Sequence, residues 1–381
     1  MPFDFATASR IRFGEGTARE VAGAAATLGR RALVVTGQSA RRFAGLLDGP
    51  RFAVPAEPTI ELVRQGVEFA REQGCDVVVS IGGGSSLDAG KAVAVLLANS
   101  GDPLDYLEVI GRGLPLESPP APFLAVPTTA GTGSEVTRNA VLASPQHRVK
   151  ASLRSASMLP RLAVIDPELA YDLPPAITAS TGLDALTQLI EPYVSWRANP
   201  MTDLYCVEGI RAAAAALPRA FDHGRDAAAR RAMAWASLLG GLALANAGLG
   251  AVHGFAAPIG GMFPAPHGAV CAAILPHAMA VNLRALRSRA PQSPALGRYD
   301  EIARLLTGRP HSTAADAVTF AADLCRRFEI PPLAAYAIGA SDIAALAEKA
   351  AHSSSMQANP IVLSTGELRE ILSLALPATA N

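Results

Sequence analysis

The sequence predicts an α/β fold with a parallel sheet in its first half and an all-helical fold in its second half. Residues 10–170 alternate short apolar runs, rich in β-branched residues, with helical patterns. The apolar runs are continuous rather than alternating, which is typical of parallel strands that are covered on both faces. After residue 174, alanine-rich helical patterns follow one another with no convincing strand between them. We therefore predict an α/β domain over residues 1–174 and an all-α domain over residues 175–381.

The predicted elements follow these patterns in chain order. Buried strands are predicted at Arg31–Thr36, Asp76–Ile81, Pro122–Val126 and Leu162–Ile165. Helices of the first half are predicted at Ala40–Leu47, Glu61–Gln73 and Ser86–Ala98. Helices of the second half are predicted at Ile177–Trp196, Met201–Ala215, Ala227–Leu244, Ala314–Phe328, Ile343–Ala351 and Glu367–Leu374.

Composition limits the classes of partner. Of the 381 residues, 50% are hydrophobic and 17% are charged, and the formal net charge is zero. Such a chain has a sizeable core and no excess charge that would attract nucleic acid or an anionic membrane. The four cysteines are far apart without a CxxC pair, and the first residues do not show a secretory pattern. We therefore expect free thiols and a cytoplasmic location.

A glycine-rich turn joins the second predicted strand to the helix that follows it. Its sequence is Ile81-Gly-Gly-Gly-Ser-Ser-Leu-Asp88. Three glycines allow backbone N–H groups to approach a phosphate closely, and a helix N-terminus favours an anion. The turn is not a GxGxxG motif, and glycine is also common where a strand simply meets a helix. By itself the turn leaves both phosphate binding and a structural role open.

A second polar loop follows the third predicted strand. It reads Val126-Pro-Thr-Thr-Ala-Gly-Thr-Gly-Ser-Glu-Val-Thr137 and supplies several hydroxyl groups. Ligands of open parallel sheets bind outside the carboxyl ends of the strands. Two such loops after two different strands favour a nucleotide site, with a polar surface loop as the alternative.

Between Ala232 and Leu283 there is no Asp, Glu, Lys or Arg, yet His253, His267 and His277 lie there. A membrane span is one explanation of such a stretch. Glycines and prolines interrupt it repeatedly, so we expect no uninterrupted helix of about twenty apolar residues to survive. We predict instead the deepest part of a soluble protein. Histidines in such a place are candidates for metal binding or proton transfer.

Asp184, Gln188 and Glu191 share one face of the first predicted helix of the second half. A carboxylate that faces a dry interior needs a partner. His253 and His267 are candidates to share a metal ion with Asp184. Each histidine taken alone also fits a hydrogen-bonded core residue, and spacing does not decide between the two.

Several motifs, in order along essentially the whole chain, resemble the iron-containing (group III) alcohol dehydrogenases, which belong to a dehydroquinate synthase-like superfamily. They are GGGSSLDAGK at 82–91, PTTAGTGSEVT at 127–137, VIDPEL at 164–169, TGLDAL at 181–186, HGFAAPIGG at 253–261, PHG at 266–268 and LPH at 275–277. The resemblance implies a Rossmann-like α/β domain and a helical domain, with NAD(P) and a divalent metal, iron or zinc, in the cleft between them. It also implies a homodimer or larger homo-oligomer.

The family's functional positions carry over motif by motif. Its cofactor loops correspond to Gly83, Gly84, Ser85, Asp88, Thr128, Thr129 and Thr137, with Lys150 as a weaker match. Its four metal ligands, one Asp and three His, correspond to Asp184, position 188, His253 and His267.

Two positions depart from the family pattern. Position 188 is Gln188 instead of a ligand His, and an amide oxygen binds borderline metals less well than imidazole does. Asp184, His253 and His267 still resemble the three-ligand site of the glycerol dehydrogenase branch. Position 257 is Ala257, where many members have a second His near the nicotinamide.

The missing imidazole at position 257 leaves the route of the alcohol proton open. The proton must leave through water, through a ribose hydroxyl or through His277. His277 is therefore a candidate catalytic histidine beside His253, although a structural role for His277 is the alternative.

The leading prediction is an NAD(P)-dependent oxidoreductase that interconverts a primary or secondary alcohol with its aldehyde or ketone, with a metal polarising the substrate oxygen. One alternative is a metal-independent reductase resembling maleylacetate reductases, in which the Gln188 amide donates a hydrogen bond to the developing oxyanion. The other alternative is a catalytically silent nucleotide-binding homologue.

The position after the first predicted strand bears on the choice of cofactor. NAD-preferring relatives often place an Asp there, whose carboxylate binds the ribose 2′-hydroxyl and repels a 2′-phosphate. This chain has Gly37, followed by Gln38, Ser39, Arg41 and Arg42. Because an arginine pairs well with phosphate, we expect NADPH to be accepted at least as well as NADH.

Overall fold

The computed structural model describes residues 2–37 and 40–376, which fold into two compact units. Gln38, Ser39 and the side chain of Arg41 lie outside the described residues. The part of the cofactor-choice prediction that rests on these three residues therefore stays a prediction.

The first unit, residues 6–172, is built around a six-stranded sheet. The strands of this unit are β1 (Ile11–Phe13), β2 (Ala32–Thr36), β3 (Arg51–Ala53), β4 (Val77–Gly82), β5 (Phe123–Pro127), β6 (Asn139–Ser144), β7 (Val149–Arg154) and β8 (Leu162–Ile165). The sheet has the order β1-β8-β5-β4-β2-β3, and every neighbouring pair is parallel. β6 and β7 form a separate antiparallel hairpin. The predicted parallel sheet is confirmed.

Helices cover both faces of this sheet. They are α1 (Val21–Ala26), α2 (Ile60–Glu72), α3 (Gly84–Ala98) and α4 (Pro103–Tyr106). Leu33 and Val35 of β2 pack in one apolar cluster with residues of α2 and α3, whereas Val34 packs in a second cluster with residues of α1. Alternate side chains of a strand point to opposite faces of the sheet. Burial of both faces explains why the strands read as continuous apolar runs.

The order of the strands reverses between β2 and β4. From β2 the chain passes to β3 at the edge of the sheet, returns across β2 to β4, and continues through β5 to β8. In doubly wound sheets such a reversal leaves a crevice outside the carboxyl ends of the two strands, where ligands bind. Gly37 directly follows β2 and Gly83 directly follows β4, so both residues lie at the mouth of this crevice.

Four strands of the first unit are absent from the sequence prediction. β1 and β3 have three residues each and are too short to show a pattern. In the hairpin, buried and less buried residues alternate along β6, so the continuous apolar run is missing. The helix predicted at Ala40–Leu47 is a 3₁₀ helix, Ala40–Leu46, with non-helical backbone angles at Phe43.

The second unit, residues 2–5 together with residues 173–376, is helical. Its helices are α5 (Pro175–Val194), α6 (Pro200–Asp222), α7 (Ala227–Ala247), α8 (Ala251–Met262), α9 (His267–Arg289), α10 (Pro294–Thr307), α11 (Ala314–Arg327), α12 (Ile343–Ala351) and α13 (Thr365–Ala375). Within its described residues the unit contains no strand, as predicted. α8, α9 and α10 are additional to the predicted helices, and glycines and prolines interrupt the patterns of α8 and α9.

The expectation that no long apolar helix survives in the charge-free stretch is wrong. α9 is one helix of 23 residues that passes through Pro276. A proline cannot donate to the carbonyl four residues earlier; here that carbonyl belongs to Ala272, and the Cys325 thiol donates to it at 3.2 Å instead. α9 is long and apolar enough to cross a membrane, but 83% of its most apolar 18-residue segment is buried within the protein. α7 and α8 meet the same criteria only as a pair, and they are bent by 96°. Packing in the helical core accounts for the apolar composition of α9.

Candidate active site

Three helices of the second unit bring Asp184, His253 and His267 together. His253 Nε2 lies 3.2 Å from Asp184 Oδ1, and His267 Nε2 lies 3.8 Å from the same oxygen. Asp184 and His253 are buried, whereas 33% of the His267 side chain is exposed. The residues that the sequence analysis proposes as metal ligands therefore form one cluster, with His267 on its accessible side.

Close packing of α9 against α5 sets this geometry. Asp184 lies in the middle of α5, and His267 is the first residue of α9. At the next position, Gly268, a Cβ would lie 2.6 Å from the Ser180 carbonyl oxygen. Only glycine lets the start of α9 approach the α5 backbone this closely, one turn before Asp184.

Glu191 orients the His253 ring. His253 lies in the first turn of α8, whose N-cap residue, Gly250, has no side-chain oxygen. Glu191 Oε1 accepts from the Val252 backbone N–H at 2.7 Å, and Glu191 Oε2 lies 2.6 Å from His253 Nδ1. A Cβ at Gly250 would lie 2.9 Å from Glu191 Oε1, so the carboxylate needs a glycine there. With Nδ1–H donated to Glu191, the lone pair of His253 Nε2 is left for another partner.

Two buried polar atoms of Asp184 and His253 lie next to each other. Among the described residues, Asp184 Oδ1 and His253 Nε2 have no hydrogen-bond partner, although they are within ion-pair distance of each other. Unpaired polar atoms in a dry interior are costly, and a cation bound by both would satisfy them. Ligand atoms of a tetrahedral zinc site are about 3.3–3.7 Å apart, and the two separations here are 3.2 and 3.8 Å. The donors present therefore fit a divalent metal ion.

The pKa values of the cluster reflect the same need for positive charge. Burial opposes ionisation of Asp184, but His267 and His253 outweigh it, and the pKa of Asp184 is lowered. Burial also favours neutral imidazoles, but neighbouring groups outweigh it and raise the pKa of both histidines. For His253 these groups are Cys271 and Glu191, and for His267 they are Cys271 and Asp184. The carboxylates of Asp184 and Glu191 therefore draw either protons or a metal cation to this point.

Gln188 lies one turn after Asp184 on α5. Its Nε2 donates to Asp184 Oδ2 at 3.0 Å, and among the described residues its buried Oε1 has no hydrogen-bond partner. The reversed amide would place two acceptors against each other, so this orientation is the favourable one. The amide nitrogen is therefore directed at Asp184, which weakens the case for Gln188 as an oxyanion donor in a metal-independent reductase.

Cys271 is a member of this cluster that the sequence analysis missed. It lies one turn after His267 on α9, and its Sγ is 3.7 Å from His267 Nε2. The ligand atoms of Asp184, His253, His267 and Cys271 all lie within 4.8 Å of one another. All four cysteines are free thiols, as predicted. The four-residue spacing of His267 and Cys271, which places two ligands on one helix face, was the signal in the sequence.

The structure does not bring His277 to the cluster. Ten residues of α9 separate it from His267, which is about 15 Å of helix. His277 is partly buried, and burial lowers its pKa. Ala257 lies one turn after His253 on α8 and leaves that position without an imidazole. A catalytic role for His277 stays a prediction.

In the first unit, the loops after β4 and β5 lie against each other. The Thr128 N–H donates to the Gly82 carbonyl at 3.0 Å. A Cβ on Gly84 would lie 2.7 Å from the Thr132 side chain, and a Cβ on Gly83 would lie 3.4 Å from that of Thr129. The two loops that the sequence analysis assigns to a nucleotide are therefore neighbours.

The start of α3 has no side-chain cap among the described residues. Its N-cap residue is Gly83. The first N–H groups of a helix lack partners within it and carry partial positive charge, which suits a phosphate. Gly84 and Ser85 supply these groups, and a Cβ on Gly37, from the loop after β2, would lie 3.2 Å from Ser86 Oγ. Three loops thus meet at the crevice.

Asp88 and Thr137 are engaged within the protein through Lys91, a residue that the sequence analysis did not single out. The Lys91 side chain is fully buried, and burial lowers its pKa. Its Nζ donates to Ser134 Oγ at 2.7 Å, Thr137 Oγ1 at 2.9 Å and the Asn139 carbonyl at 2.7 Å. Asp88 Oδ1 accepts from Ser134 Oγ at 2.5 Å. Direct contact of Asp88 or Thr137 with a cofactor stays a prediction.

Two further residues of the cofactor prediction form ion pairs in the first unit. Lys150 Nζ lies 2.9 Å from Glu57, and only 5% of the Lys150 side chain is exposed. The Arg42 guanidinium lies 2.8 Å from Asp172, with 30% of its side chain exposed. Phosphate contact by either residue stays a prediction.

Known proteins resemble this chain over nearly its whole length. Residues 8–167 match the family described as iron-containing alcohol dehydrogenase, and residues 178–376 match its C-terminal domain. Alcohol dehydrogenase 4 of Schizosaccharomyces pombe is 38% identical over 85% of this chain and 74% of its own length. The NAD-dependent methanol dehydrogenase of Bacillus methanolicus is 35% identical over 84% and 82% of the two chains.

A solved 1,3-propanediol oxidoreductase shares the fold, with a TM-score of 0.89, 33% identity, and coverage of 99% of this chain and 100% of its own. The parallel sheet with a helical second unit, the cluster around Asp184 and these matches agree with one another. The chain therefore belongs to the iron-containing alcohol dehydrogenase family, and it is an oxidoreductase of the alcohol dehydrogenase type.

Proposed function

We propose that the chain is a metal-dependent NAD(P) oxidoreductase that interconverts a small primary or secondary alcohol with its aldehyde or ketone. The observation that carries this proposal is the pair of buried, unpartnered atoms Asp184 Oδ1 and His253 Nε2, 3.2 Å apart, beside His267, as judged among the described residues. The family supplies the reaction class, and these residues supply the place for the metal.

Asp184, His253 and His267 would hold the ion, which is iron or zinc, with Gln188 at best a poor additional ligand. A divalent ion there would polarise the substrate oxygen as a Lewis acid. Glu191 keeps His253 Nε2 directed at Asp184, as partners of metal-binding histidines commonly do. The exposed third of His267 leaves this side of the cluster open to a small molecule.

The cofactor would bind at the crevice outside β2, β4 and β5. The pyrophosphate would contact backbone N–H groups of Gly83, Gly84 and Ser85, with the hydroxyls of Thr128 and Thr129 nearby. A bound nicotinamide would supply or accept the hydride.

NADPH would be accepted at least as well as NADH. Gly37 places no carboxylate after β2, so a 2′-phosphate meets no repulsion there. The Arg42 guanidinium pairs with Asp172 but is partly exposed, which leaves N–H groups to contact a phosphate.

The alcohol proton would leave through water or a ribose hydroxyl, because Ala257 offers no imidazole one turn after His253. His277 is the remaining candidate relay, acting through intervening groups over about 15 Å of helix.

The division of labour follows the sequence prediction. Residues 1–174 would bind the cofactor, and residues 175–381 would bind the metal and the substrate. The enzyme would act in the cytoplasm as a homodimer or larger homo-oligomer, and light scattering on the purified full chain measures the latter directly.

Metal content and NAD(P)H turnover, measured on the same purified protein, test the proposal. Because relatives are named for methanol and 1,3-propanediol, short alcohols and their aldehydes form the first panel. We expect bound iron or zinc, turnover that chelator abolishes, and recovery on adding the metal back. Turnover that is indifferent to metal would support the metal-independent reductase, and cofactor binding without turnover would support the silent homologue.

A further inference from the structure

We propose that the Cys271 thiolate is the fourth ligand of the metal ion and takes over the role that an imidazole at position 188 has in the family pattern. This inference rests on the proposed metal-dependent function and deepens it. The site would be Asp184, His253, His267 and Cys271, one carboxylate, two imidazoles and one thiolate, and the substrate oxygen would bind the ion as a fifth ligand.

The geometry places Cys271 within the cluster rather than beside it. α9 begins at His267, and Cys271 follows after one turn on the same face. The separation of Cys271 Sγ from His267 Nε2 is 3.7 Å, and all four ligand atoms lie within 4.8 Å of one another. A sulfur and a nitrogen bound to one tetrahedral zinc ion, at about 2.3 and 2.0 Å from it, would be about 3.5 Å apart.

An independent observation shows that this point lacks a partner. Asp184 Oδ1 and His253 Nε2 are buried and, among the described residues, without hydrogen-bond partners. Cys271 is fully buried, and its Sγ lies within 4.8 Å of the ligand atoms of Asp184 and His253. A metal ion at the centre of the four would satisfy the carboxylate and imidazole atoms and bind the sulfur at once.

The chemistry of position 188 explains why a thiolate is needed. Gln188 offers only a neutral amide, and its nitrogen is already hydrogen-bonded to Asp184. A thiolate is the stronger ligand for borderline ions such as Zn²⁺, Fe²⁺ and Co²⁺. Together with Asp184 it gives the site two negative charges, which balance a divalent ion. The Cys271 thiolate, one turn after the start of α9, thus replaces the imidazole that is missing at residue 188.

The other cysteines serve as matched controls. Cys206 is fully buried in α6 but belongs to no such cluster among the described residues, and Cys325 donates to the Ala272 carbonyl. Cys75 is partly buried. A variant with Cys75 and Cys206 replaced by alanine and Cys325 by serine, whose hydroxyl can still donate to the Ala272 carbonyl, retains Cys271 as its only thiol.

The experiment is optical titration of the reduced, metal-free full chain with Co²⁺ under anaerobic conditions. A thiolate bound to Co²⁺ gives an intense near-ultraviolet charge-transfer band, whereas Asp and His ligands give only weak visible bands. We expect the charge-transfer band at one Co²⁺ per chain in the wild type, in Cys206→Ala and in the chain whose only thiol is Cys271. We expect it to be absent in Cys271→Ser.

A second measurement reports affinity rather than spectrum. Competition with a chelator should show that Cys271→Ser binds Zn²⁺ at least tenfold more weakly than the wild type, by comparison with the 10–100-fold effects of disturbing outer partners of a metal. The double variant Gln188→His/Cys271→Ser should recover most of this loss, since it restores an imidazole. Circular dichroism of each variant confirms that it is folded, and the chain with Cys271 alone keeps the test valid should Cys271→Ser misfold.

The failures of the two proposals are distinguishable. Stoichiometric Co²⁺ binding with metal-dependent turnover but no charge-transfer band, or a band that survives in Cys271→Ser, would overturn the thiolate ligand and leave the proposed function standing. Absence of Co²⁺ binding by the wild type would overturn both.

Discussion

Glu191 holds His253 by a contact of 2.6 Å between Oε2 and Nδ1, and the other oxygen of the same carboxylate accepts from the Val252 N–H at 2.7 Å. One side chain of α5 thus fixes both the start of α8 and the orientation of the imidazole on it. The consequence is that His253 Nε2 is held 3.2 Å from Asp184 Oδ1.

Replacing Glu191 by Gln should weaken metal binding while the fold is kept. A neutral amide accepts a weaker hydrogen bond from Nδ1–H and leaves the ring less basic, so affinity for Zn²⁺ should fall by about 10–100-fold. Chelator competition measures this, with Glu208→Gln on the exposed face of α6 as the control. An unchanged affinity in Glu191→Gln would show that the carboxylate only caps α8.

Replacing Gln188 by His should tighten metal binding, most clearly in the Cys271→Ser background, where the proposed thiolate ligand is missing. An imidazole is a better ligand for borderline ions than an amide, and an increase of about tenfold or more is expected by the same comparison. The control is Gln65→His on the exposed face of α2, which tests adventitious binding by a new histidine. Equal affinities of Cys271→Ser and Gln188→His/Cys271→Ser would mean that residue 188 does not reach the ion.

Gly37 should govern the preference between the two cofactors. With no carboxylate after β2, kcat/KM for NADPH should equal or exceed that for NADH. Gly37→Asp should lower the value for NADPH more than the value for NADH, and the structure leaves room for the change if the Ser86 hydroxyl shifts slightly. A wild-type kcat/KM for NADH that is tenfold or more above that for NADPH would contradict the prediction.

Glu135 should make the stability of the chain depend on pH. Burial raises the pKa of this carboxyl group from 4.5 to about 7. The folded state therefore keeps a proton that the unfolded state loses between these values, and stability falls as the pH rises through this window. The side chain of Glu135→Gln cannot ionise. Between pH 4.5 and pH 7.5, the free energy of unfolding of the wild type should therefore fall by about 3 kcal/mol relative to that of the variant.

Urea unfolding at several pH values measures this difference. The control is Glu168→Gln, which removes an exposed carboxyl group of the same unit. Its free energy of unfolding should change with pH in the same way as that of the wild type. A constant difference between the wild type and Glu135→Gln across the window would contradict the raised pKa.

Lys91 should contribute strongly to stability. Its ammonium group is buried, donates to three oxygens and lies 3.3 Å from Asp88. Removing one member of a buried charge pair typically costs about 3–5 kcal/mol of stability. Urea unfolding should show a decrease of this size in the free energy of unfolding of Lys91→Met. Lys349→Met, at an exposed position of α12, should be nearly neutral. A small effect of Lys91→Met would mean that the charge is not needed.

The sequence predicts the parts of the fold that leave a regular pattern. β2, β4, β5 and β8 are buried on both faces, so they read as apolar runs and were placed to within a residue or two. β1 and β3 have three residues each, which is too few to show an apolar pattern in the sequence. Pro276 predicts a helix break that does not occur, because the distant Cys325 thiol replaces the missing hydrogen-bond donor. Such a tertiary contact has no local signal in the sequence.

The site was predictable in its residue types but not in its connections. Asp184, His253 and His267 stood out because polar ligands in an apolar stretch need an explanation. The contact of Glu191 with His253 joins two helices, and the place of Cys271 depends on how α9 packs against α5 at Gly268. Both require the packing of α5, α8 and α9, which the helical patterns alone do not contain.

The most direct test is anomalous X-ray scattering from crystals of the full chain loaded with Zn²⁺, with data collected on both sides of the zinc absorption edge. We predict one strong peak per chain, about 2.0–2.2 Å from Asp184 Oδ1, His253 Nε2 and His267 Nε2. The absence of a peak within bonding distance of Asp184, in crystals of protein that turns over alcohol, would contradict the central claim.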